Sequence, residues 1–534
     1  MILAAPGYDR FGISTARTDM NRIFSRRDFL RAAPAALLLA GWPGAALPQP
    51  AFSADPFSLG IASGAPLPDG VVLWTRLAPD PLNGGGMPPL PVEVRWEIAH
   101  DEQFRRIAQA GTATADPLFA HSVHVEAQGL EPARWYWYRF MAGNAVSSTG
   151  RTRTAPAVAA AVDRFRFAFA SCQQYEQGYY AAHRHMAAED IDLVVFLGDY
   201  IYESSWGRKH VRKHESGEPR TLEQYRNRYA RYKSDPDLQR CHASFPWLVT
   251  WDDHEVSNDY ANDRAQDLDP DFLARRAFAY RACYEHMPLR RSALPEGPHM
   301  RLYGRHGFGS LVQFHVLDGR QYRDHQSCAK PGRGGGNVVD DTGCAARRDP
   351  QHTLLGMEQE AWLHAGLAAS QARWNIIAQQ TLMAQMDRRP GPGQQFWTDG
   401  WDGYPAARAR LLDAIAERRP GNPLVIGGDV HFNCVADLKA DFDDPRSRVV
   451  ATEFVATSIT SQGPDQARLD AQRADNPHVR FANSERRGYV VMEVGEQRCL
   501  ARLRAIESEK DADTPASTLA SFAVENGRPG AEAA

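Results

Sequence analysis

Several stretches of the chain share one pattern: an apolar run that stops abruptly at chemically active residues. The alternating Phe165, Phe167 and Phe169 give way to Ser171-Cys172, and the nearly continuous run Leu193-Val194-Val195-Phe196-Leu197 stops at Gly198-Asp199-Tyr200-Ile201-Tyr202-Glu203. Phe245 to Thr250 breaks into Trp251-Asp252-Asp253-His254-Glu255, and Pro423 to Ile426 breaks into Gly427-Gly428-Asp429-Val430-His431-Phe432. Trp374 to Ala378 runs into Gln379-Gln380, and Leu311 to Leu317 ends at Asp318-Gly319-Arg320-Gln321-Tyr322-Arg323. Alternation describes a strand with one face in a core, and a continuous run describes a strand buried on both faces. Tyr179 to Glu189 has helical composition, so the first two runs form a strand, helix, strand unit that brings Cys172 and Asp199 to one sheet edge. Strands ending in Asp, His, Cys and Gln, with glycines where backbones must approach, predict a crown of ligands at the carboxyl edge of an α/β sheet.

The flanking segments have a different rhythm. From Phe57 to about Pro156, short runs (Val71–Thr75, Val92–Ile98, Val123–Val125, Trp135–Phe140) alternate with turn signals such as Pro68-Asp69-Gly70 and Asn83-Gly84-Gly85-Gly86. That spacing predicts an antiparallel β-sandwich of immunoglobulin or fibronectin type over residues 55–156, with His121 and His124 on strand surfaces rather than on a metal. Arg151 to Pro156 reads as a linker, residues 163–505 as the catalytic domain, and residues 506–534 as a frayed tail. Tyr225, Tyr229 and Tyr232 fall at helical spacing, which predicts a helix packing its tyrosines inward. Segments 204–237 and 326–350 are the loops expected to cover the site.

Composition narrows the class. A chain of 534 residues with 43% hydrophobic content can bury a large core, and a net charge of −4 offers no basic surface for stable nucleic-acid binding. The first 54 residues, by contrast, carry six Arg against three Asp. Ser25-Arg26-Arg27-Asp28-Phe29-Leu30 precedes a weak apolar run, Ala32 to Ala46, which reads as a twin-arginine signal peptide over residues 1–54, cleaved after Ala46 or Ala54. The run is broken by Pro34, Gly41, Pro43 and Gly44 and is short for the ~20 residues of a spanning helix, so no transmembrane span is expected after processing. The expected partner is the twin-arginine export machinery, and the expected location is periplasmic or otherwise outside the cytoplasm. Seven cysteines leave at least one unpaired, Cys172 among them, while Cys328 and Cys344 flank the Gly-rich stretch from Pro331 to Val338 and are candidates for a disulfide whose pairing spacing leaves open.

The blocks FASC, GDYIYE, WDDHE and GGDVHF, in this order and spacing, resemble the PhoD-type alkaline phosphatases, a branch of the calcineurin-like metallophosphoesterases. The resemblance runs from about Phe57 to the region of Gly488. It implies a metallophosphoesterase αββα sandwich after the N-terminal β-sandwich, and hydrolysis of small phosphomonoesters or phosphodiesters by a metal-bound hydroxide. It further implies Fe³⁺ on Cys172, Asp199, Tyr202 and His431, and Ca²⁺ on Asp199, Asp253 and Gln380, with Asp429 a ligand of one or the other. Phenolate and thiolate suit a transition metal and carboxylate oxygens suit calcium, which makes the mixed donor set chemically coherent. His254, next to Asp253, is implied as the group that protonates the leaving alkoxide or steadies the transition-state oxygens. Asp252, Glu255, Asn258 and Asp259 would orient His254 or hold a further calcium. Asn258, Arg320 and Arg323 are candidates for phosphate binding, the two arginines being as well suited to pair with Asp318 or Asp324 as scaffolding.

The same residues admit two other readings. Cys172 as a nucleophile, with His431 as base and Asp429 as orienter, would make an exported thiol hydrolase. A sandwich domain carrying a degenerate catalytic domain would make a surface-binding protein without turnover.

Overall fold

Phe165, Phe167 and Phe169 lie on one face of the strand Arg164–Ala170, where they join Leu193, Val195 and Leu197 from the next strand in a core shared with Phe314, Ile376 and Ile426 of a second sheet. Phe167 meets Phe314 edge-on, with ring centroids 5.0 Å apart. Each such side chain contributes about 1.5–3 kcal/mol through burial, so this seam holds the two sheets face to face. The computed structural model describes residues 50–534. The signal peptide expected over residues 1–54 lies, up to Gln49, outside the described residues.

The first sheet runs, among the described residues, through ten strands in the order 528–533, 516–525, 498–506, 487–495, 164–170, 193–197, 246–250, 61–67, 70–76, 122–128. The second has seven, ordered 304–308, 312–316, 374–378, 423–427, 449–455, 433–439, 479–483. Helices cover both outer faces. Leu222–Lys233, Pro236–Ser244 and Phe272–His286 pack with Phe196 and Trp247 on the first sheet, and Met357–Ala369 and Pro405–Arg418 pack with Ile377 and Val425 on the second. The result is the expected αββα sandwich. Tyr225, Tyr229 and Tyr232 are buried on the helix Leu222–Lys233, as their spacing predicts, and that helix starts at a capping box of Thr221 and Gln224.

Three expectations are corrected. Residues 506–534 are not frayed: Ala516–Glu525 and Arg528–Ala533 form a hairpin that extends the first sheet from Arg498–Ile506. Phe522 and Val524 are buried there, and Asn526-Gly527 supplies the turn that a polar composition concealed. The N-terminal β-sheet domain, secondly, is present but is not joined to the catalytic domain through the expected linker. Its strand Ile61–Leu67 pairs in parallel with Pro246–Thr250 of the catalytic sheet, while strands 92–99, 107–115, 135–142, 145–146 and 150–153 build the small opposing sheet. Gly150–Arg153 is thus a strand where a linker was expected, and residues 50–534 form one compact unit. The two histidines, thirdly, are not strand-surface residues alike: His121 is buried just before the strand Ser122–Gln128, its Nε2 3.0 Å from the Leu90 carbonyl, and the half-buried His124 stacks on Tyr284 at 4.5 Å with its Nε2 3.0 Å from the carbonyl oxygens of both Tyr284 and Met287.

Cys328 and Cys344 form a disulfide, and Cys172, Cys241, Cys283, Cys434 and Cys499 are buried free thiols. No helix of the described residues is long and apolar enough to cross a membrane.

Candidate metal centre

Parallel pairing sets the strand ends level. Phe196 faces Ala170, and Leu197 faces Thr250, so the loops carrying Cys172, Asp199 and Asp252-Asp253 leave the first sheet side by side. In the second sheet Ile426 faces both Ala378 and Phe454, which delivers Asp429 and His431 from the opposite wall. Gly198 and Gly428 allow the loops to touch. A Cβ on Gly198 would collide with the Asp252 backbone, and one on Gly428 would collide with Ser171.

The loops turn at the functional residues themselves. Cys172, Asp199, Asp429 and His431 all adopt left-handed backbone, with φ of 60°, 57°, 64° and 58°. Such a conformation costs about 1–3 kcal/mol at a residue with a side chain and survives where surrounding structure enforces it. Glu255 is one enforcer. Its carboxylate accepts hydrogen bonds from the backbone N–H groups of Asp199 (3.1 Å), Tyr200 (2.6 Å) and Asp252 (2.9 Å), clamping two loops to each other.

Four groups of side chains have ligand atoms within 4.8 Å of one another: Cys172, Asp199 and His431; Asp199, Asp253 and His254; Asp199, Asp252 and Asp429; and Asp253, Asp259 and Asp399. Asp199 belongs to three of them and is 1% exposed. Tyr202 joins the first group: its hydroxyl donates to Asp199 Oδ2 (2.8 Å), accepts from Ser461 Oγ (2.8 Å) and lies 3.3 Å from His431 Nε2. His431 Nδ1 donates to the carbonyl of Gln462 (2.9 Å), which leaves Nε2 bare and turned inward, while Trp206 stacks on the ring at 5.5 Å.

Charge in this basin is unbalanced. Six aspartates face only Arg320 and Arg323 as buried guanidinium partners. Asp199 Oδ1, Asp252 Oδ2 and Asp253 Oδ1 are buried with no hydrogen-bond donor. Burial first, then the surrounding carboxylates, raise the pKa of Asp199 well above the usual range, and burial likewise lifts Asp429 to about 6 and Asp259 to about 7. The Cys172 thiol and the Tyr202 phenol are pushed up by burial and by Asp199. Orphaned anionic oxygens that repel one another in a dry basin are matched by cations, so the residues present fit bound metal ions.

His254 sits at the rim of this basin with its Nδ1 2.6 Å from Glu203 Oε2 and its ring 4.1 Å from that of Tyr202. Burial alone would discharge it, but Glu203, Asp253 and Asp199 together push its pKa well above 6.5. In this metal-free site the surrounding carboxylates therefore favour its charged ring.

The structure sorts the remaining expectations. Gln380 does not turn to the basin: its Nε2 donates to Leu317 O (2.7 Å) and Thr250 Oγ1 (2.9 Å), and its Oε1 accepts from Gly319 N (3.0 Å), so it ties strand ends together. Arg320 pairs with Asp252 and, at 2.8 Å, with Asp399, and Arg323 pairs with Asp399 at 2.6 Å; both are about 98% buried and serve as scaffold rather than phosphate clamps. Their carboxylate is Asp399, not Asp318 or Asp324. Asn258 spends its side-chain N–H₂ on Gln266 (3.1 Å) and its backbone N–H on Glu203 (3.0 Å). Asp253 holds the next turn through the Asp259 N–H (2.6 Å).

The thiol-hydrolase arrangement is not assembled. Asp429 accepts from Thr381 Oγ1 (2.7 Å) rather than from His431, and burial makes Cys172 a weaker acid instead of a readier thiolate. Glu203, Asp399, Trp206 and Ser461 were not singled out from the sequence. Glu203 closes a block that already carried two functional residues, which was the available signal. Asp399, Trp206 and Ser461 sit in loops with no pattern of their own.

An αββα sandwich whose strand ends converge on buried acidic and histidine clusters defines a hydrolase with groups able to hold metal ions. Residues 167–503 match the family model described as PhoD-like phosphatase, and residues 43–156 match that of the PhoD-like phosphatase N-terminal domain. Alkaline phosphatase D of Bacillus subtilis (strain 168) is 47% identical over 531 residues, spanning 96% of this chain and 89% of the relative. A solved structure titled "Structure of PhoD" superposes with a TM-score of 0.86 at 48% identity, covering 91% of this chain and 93% of that one. The chain belongs to the PhoD-like phosphatase family and is a phosphoric ester hydrolase.

Proposed function

We propose that the protein is an exported Fe³⁺/Ca²⁺ phosphoesterase acting on phosphomonoesters, phosphodiesters or both. The carrying observation is Asp199, a buried carboxylate shared by three ligand groups and left with an unpartnered oxygen. Cys172, Asp199, Tyr202 and His431 would hold Fe³⁺, a thiolate, a carboxylate, a phenolate and an imidazole being a donor set suited to a transition metal. Asp199, Asp253 and neighbouring aspartates would hold Ca²⁺ through oxygen alone. Bound there, such cations offset the charge of the phosphate oxygens and lower the pKa of water.

The protein's own part is to orient and to move a proton. Glu255 fixes the Asp199 and Asp252 loops, Arg320 and Arg323 hold the acidic wall together, and His254 delivers its Nε2 proton to the departing alkoxide while Glu203 steadies the positive ring. Burial of this whole set excludes bulk water and strengthens each of these charge interactions.

Purified protein is expected to be coloured, because phenolate and thiolate bound to Fe³⁺ give charge-transfer absorption that calcium, magnesium or zinc do not. Tyr202→Phe is expected to shift or abolish the visible band and to lower turnover of p-nitrophenyl phosphate and bis-p-nitrophenyl phosphate by about 10–100-fold or more. Chelation should abolish turnover and metal replacement restore it. A colourless, fully active preparation containing no iron would overturn the metal assignment, and turnover that survives chelation would overturn the metal chemistry altogether.

Export is carried by Ser25 to Leu30. Replacing Arg26 and Arg27 by Lys is expected to retain active enzyme in the cytoplasm, measured by fractionation; unchanged export would sink the twin-arginine reading.

A further inference from the structure

Beside the basin lies a cavity of about 180 Å³ whose walls include Arg388, Arg468, Trp397, Trp401, Val430 and Phe432. It shares a wall with the acidic site. Val430 stands between Asp429 and His431, and Thr381, which also lines the cavity, donates to Asp429 at 2.7 Å.

The two arginines there are unlike the other arginines near the site. Arg320, Arg323 and Arg408 each pair with a carboxylate, at 2.8, 2.6 and 2.6 Å. Among the described residues neither Arg388 nor Arg468 has a carboxylate in ion-pair reach or a hydrogen bond from its guanidinium. Asp402, the carboxylate lining the same cavity, is already engaged by Arg408 Nη1 (2.6 Å) and the Met386 N–H (3.0 Å). Arg388 is half-buried, with its guanidinium 5.4 Å from the Trp397 ring; burial lowers its pKa, Asp402 and Asp429 work against that from beyond ion-pair reach, and Arg468 adds to it. Arg468 lies exposed at the mouth, on the helix Gln466–Arg473. Trp397, Trp401, Phe432 and Val430 make the walls between them apolar.

Two unpaired guanidinium groups over apolar walls, adjoining a phosphoesterase site, form a receptor for an anion carried on a carbon skeleton. Resting on the phosphoesterase reading above, we propose that this cavity is a second anion subsite. Arg388 and Arg468 there bind a phosphate borne by the alcohol of the ester whose scissile phosphorus lies at Asp199. The favoured substrates are therefore esters with two phosphates separated by a short carbon linker, ahead of simple monoesters of the same alcohol. The guanidinium fork takes two phosphate oxygens at once, and the aromatic walls take the linker.

The test uses the metal-loaded enzyme and the monophosphates and bisphosphates of ethane-, propane- and butane-diol, a series that covers a range of spacings. The expected result is a KM for the best bisphosphate roughly tenfold below that of its monophosphate, since one charge-assisted pair is worth about that factor. Arg388→Gln and Arg468→Gln should each erode this preference and together remove it, through KM rather than kcat. Arg468 is exposed, so its substitution keeps the test valid if Arg388→Gln yields little folded protein. Binding of butane-1,4-bisphosphonate against butylphosphonate, measured by calorimetry, reads the subsite without turnover. Equal affinity for the two phosphonates, or a bisphosphate preference unchanged in the double variant, overturns the subsite. Tight bisphosphonate binding that is lost in the double variant supports it even where no ester is turned over, an outcome that would instead defeat the phosphoesterase reading.

Discussion

Asp199→Asn is expected to lower kcat/KM by roughly 10²–10⁴-fold and to strip metal from the protein, because removing one partner of a buried charge pair costs about 3–5 kcal/mol. Among the described residues no other side chain joins three of the ligand groups, and Asn keeps the volume and the backbone N–H that Glu255 accepts from. Stability should move in opposite directions with and without metal. Burial raises the Asp199 pKa in the metal-free site, so its ionised form opposes folding, and this penalty grows as pH rises from the unfolded carboxylate value through the folded one. The metal-free Asn variant should consequently melt at or above the metal-free parent at neutral pH. With iron and calcium added, the parent should gain melting temperature and the variant little. Elemental analysis together with calorimetry reads all three expectations. A variant with full metal content and parental activity would show that Asp199 bridges nothing.

His254→Ala is expected to lower kcat by about 10²–10⁴-fold, the usual contribution of a positioned proton donor, with a larger loss on alkyl esters than on p-nitrophenyl esters, whose leaving group needs no proton. Its partner offers a sharper readout. Glu203 is a positioning residue whose carboxylate, 2.6 Å from Nδ1, outweighs the burial that would discharge the ring. Glu203→Gln keeps the hydrogen-bonding shape and removes the charge, so the His254 pKa must fall. The limb of the pH–rate profile on which the protonated ring is required should then move to lower pH, with loss of activity on the alkaline side and relative sparing on the acid side. A profile that keeps its shape and position would separate His254 from proton transfer, whatever its effect on rate.

The site-bearing strands were legible because each is a buried apolar run ending on a polar residue, a signal that survives without knowledge of partners. Cys172, Asp199, Tyr202, Asp253, His254, Asp429 and His431 come together for that reason. Gln380 shows the limit of the same logic. It ends a strand as the ligands do, but an amide can both donate and accept, and here the backbone of neighbouring strand ends uses both capacities. Arg320 and Arg323 carried a choice that composition does not settle, and the deciding carboxylate, Asp399, lies 76 or more residues away in a loop. The terminal hairpin was hidden by its Ser, Ala and Glu content, since a strand with one face in the core needs few large side chains, and Phe522 and Val524 suffice here. Pairing across the two regions was hidden most completely, because nothing in Ile61 to Leu67 distinguishes a sandwich strand from a strand of the larger sheet.

That last pairing bears on what a module is in this protein. Ile61–Leu67 is hydrogen-bonded on one side to Gly70–Arg76 and on the other to Pro246–Thr250, so a cut at the sequence boundary near residue 156 would run along a ladder rather than through a hinge. Each fragment would bear a bare row of amide and carbonyl groups, the kind of edge that recruits other chains. That ladder pairs Ser63 with Pro246 and Gly64 with Trp247, and the strand it anchors runs on to Thr250, one residue before the loop holding Asp252, Asp253 and His254. The N-terminal strands thus act as a splint: they hold no ligand, and they brace the strand that does.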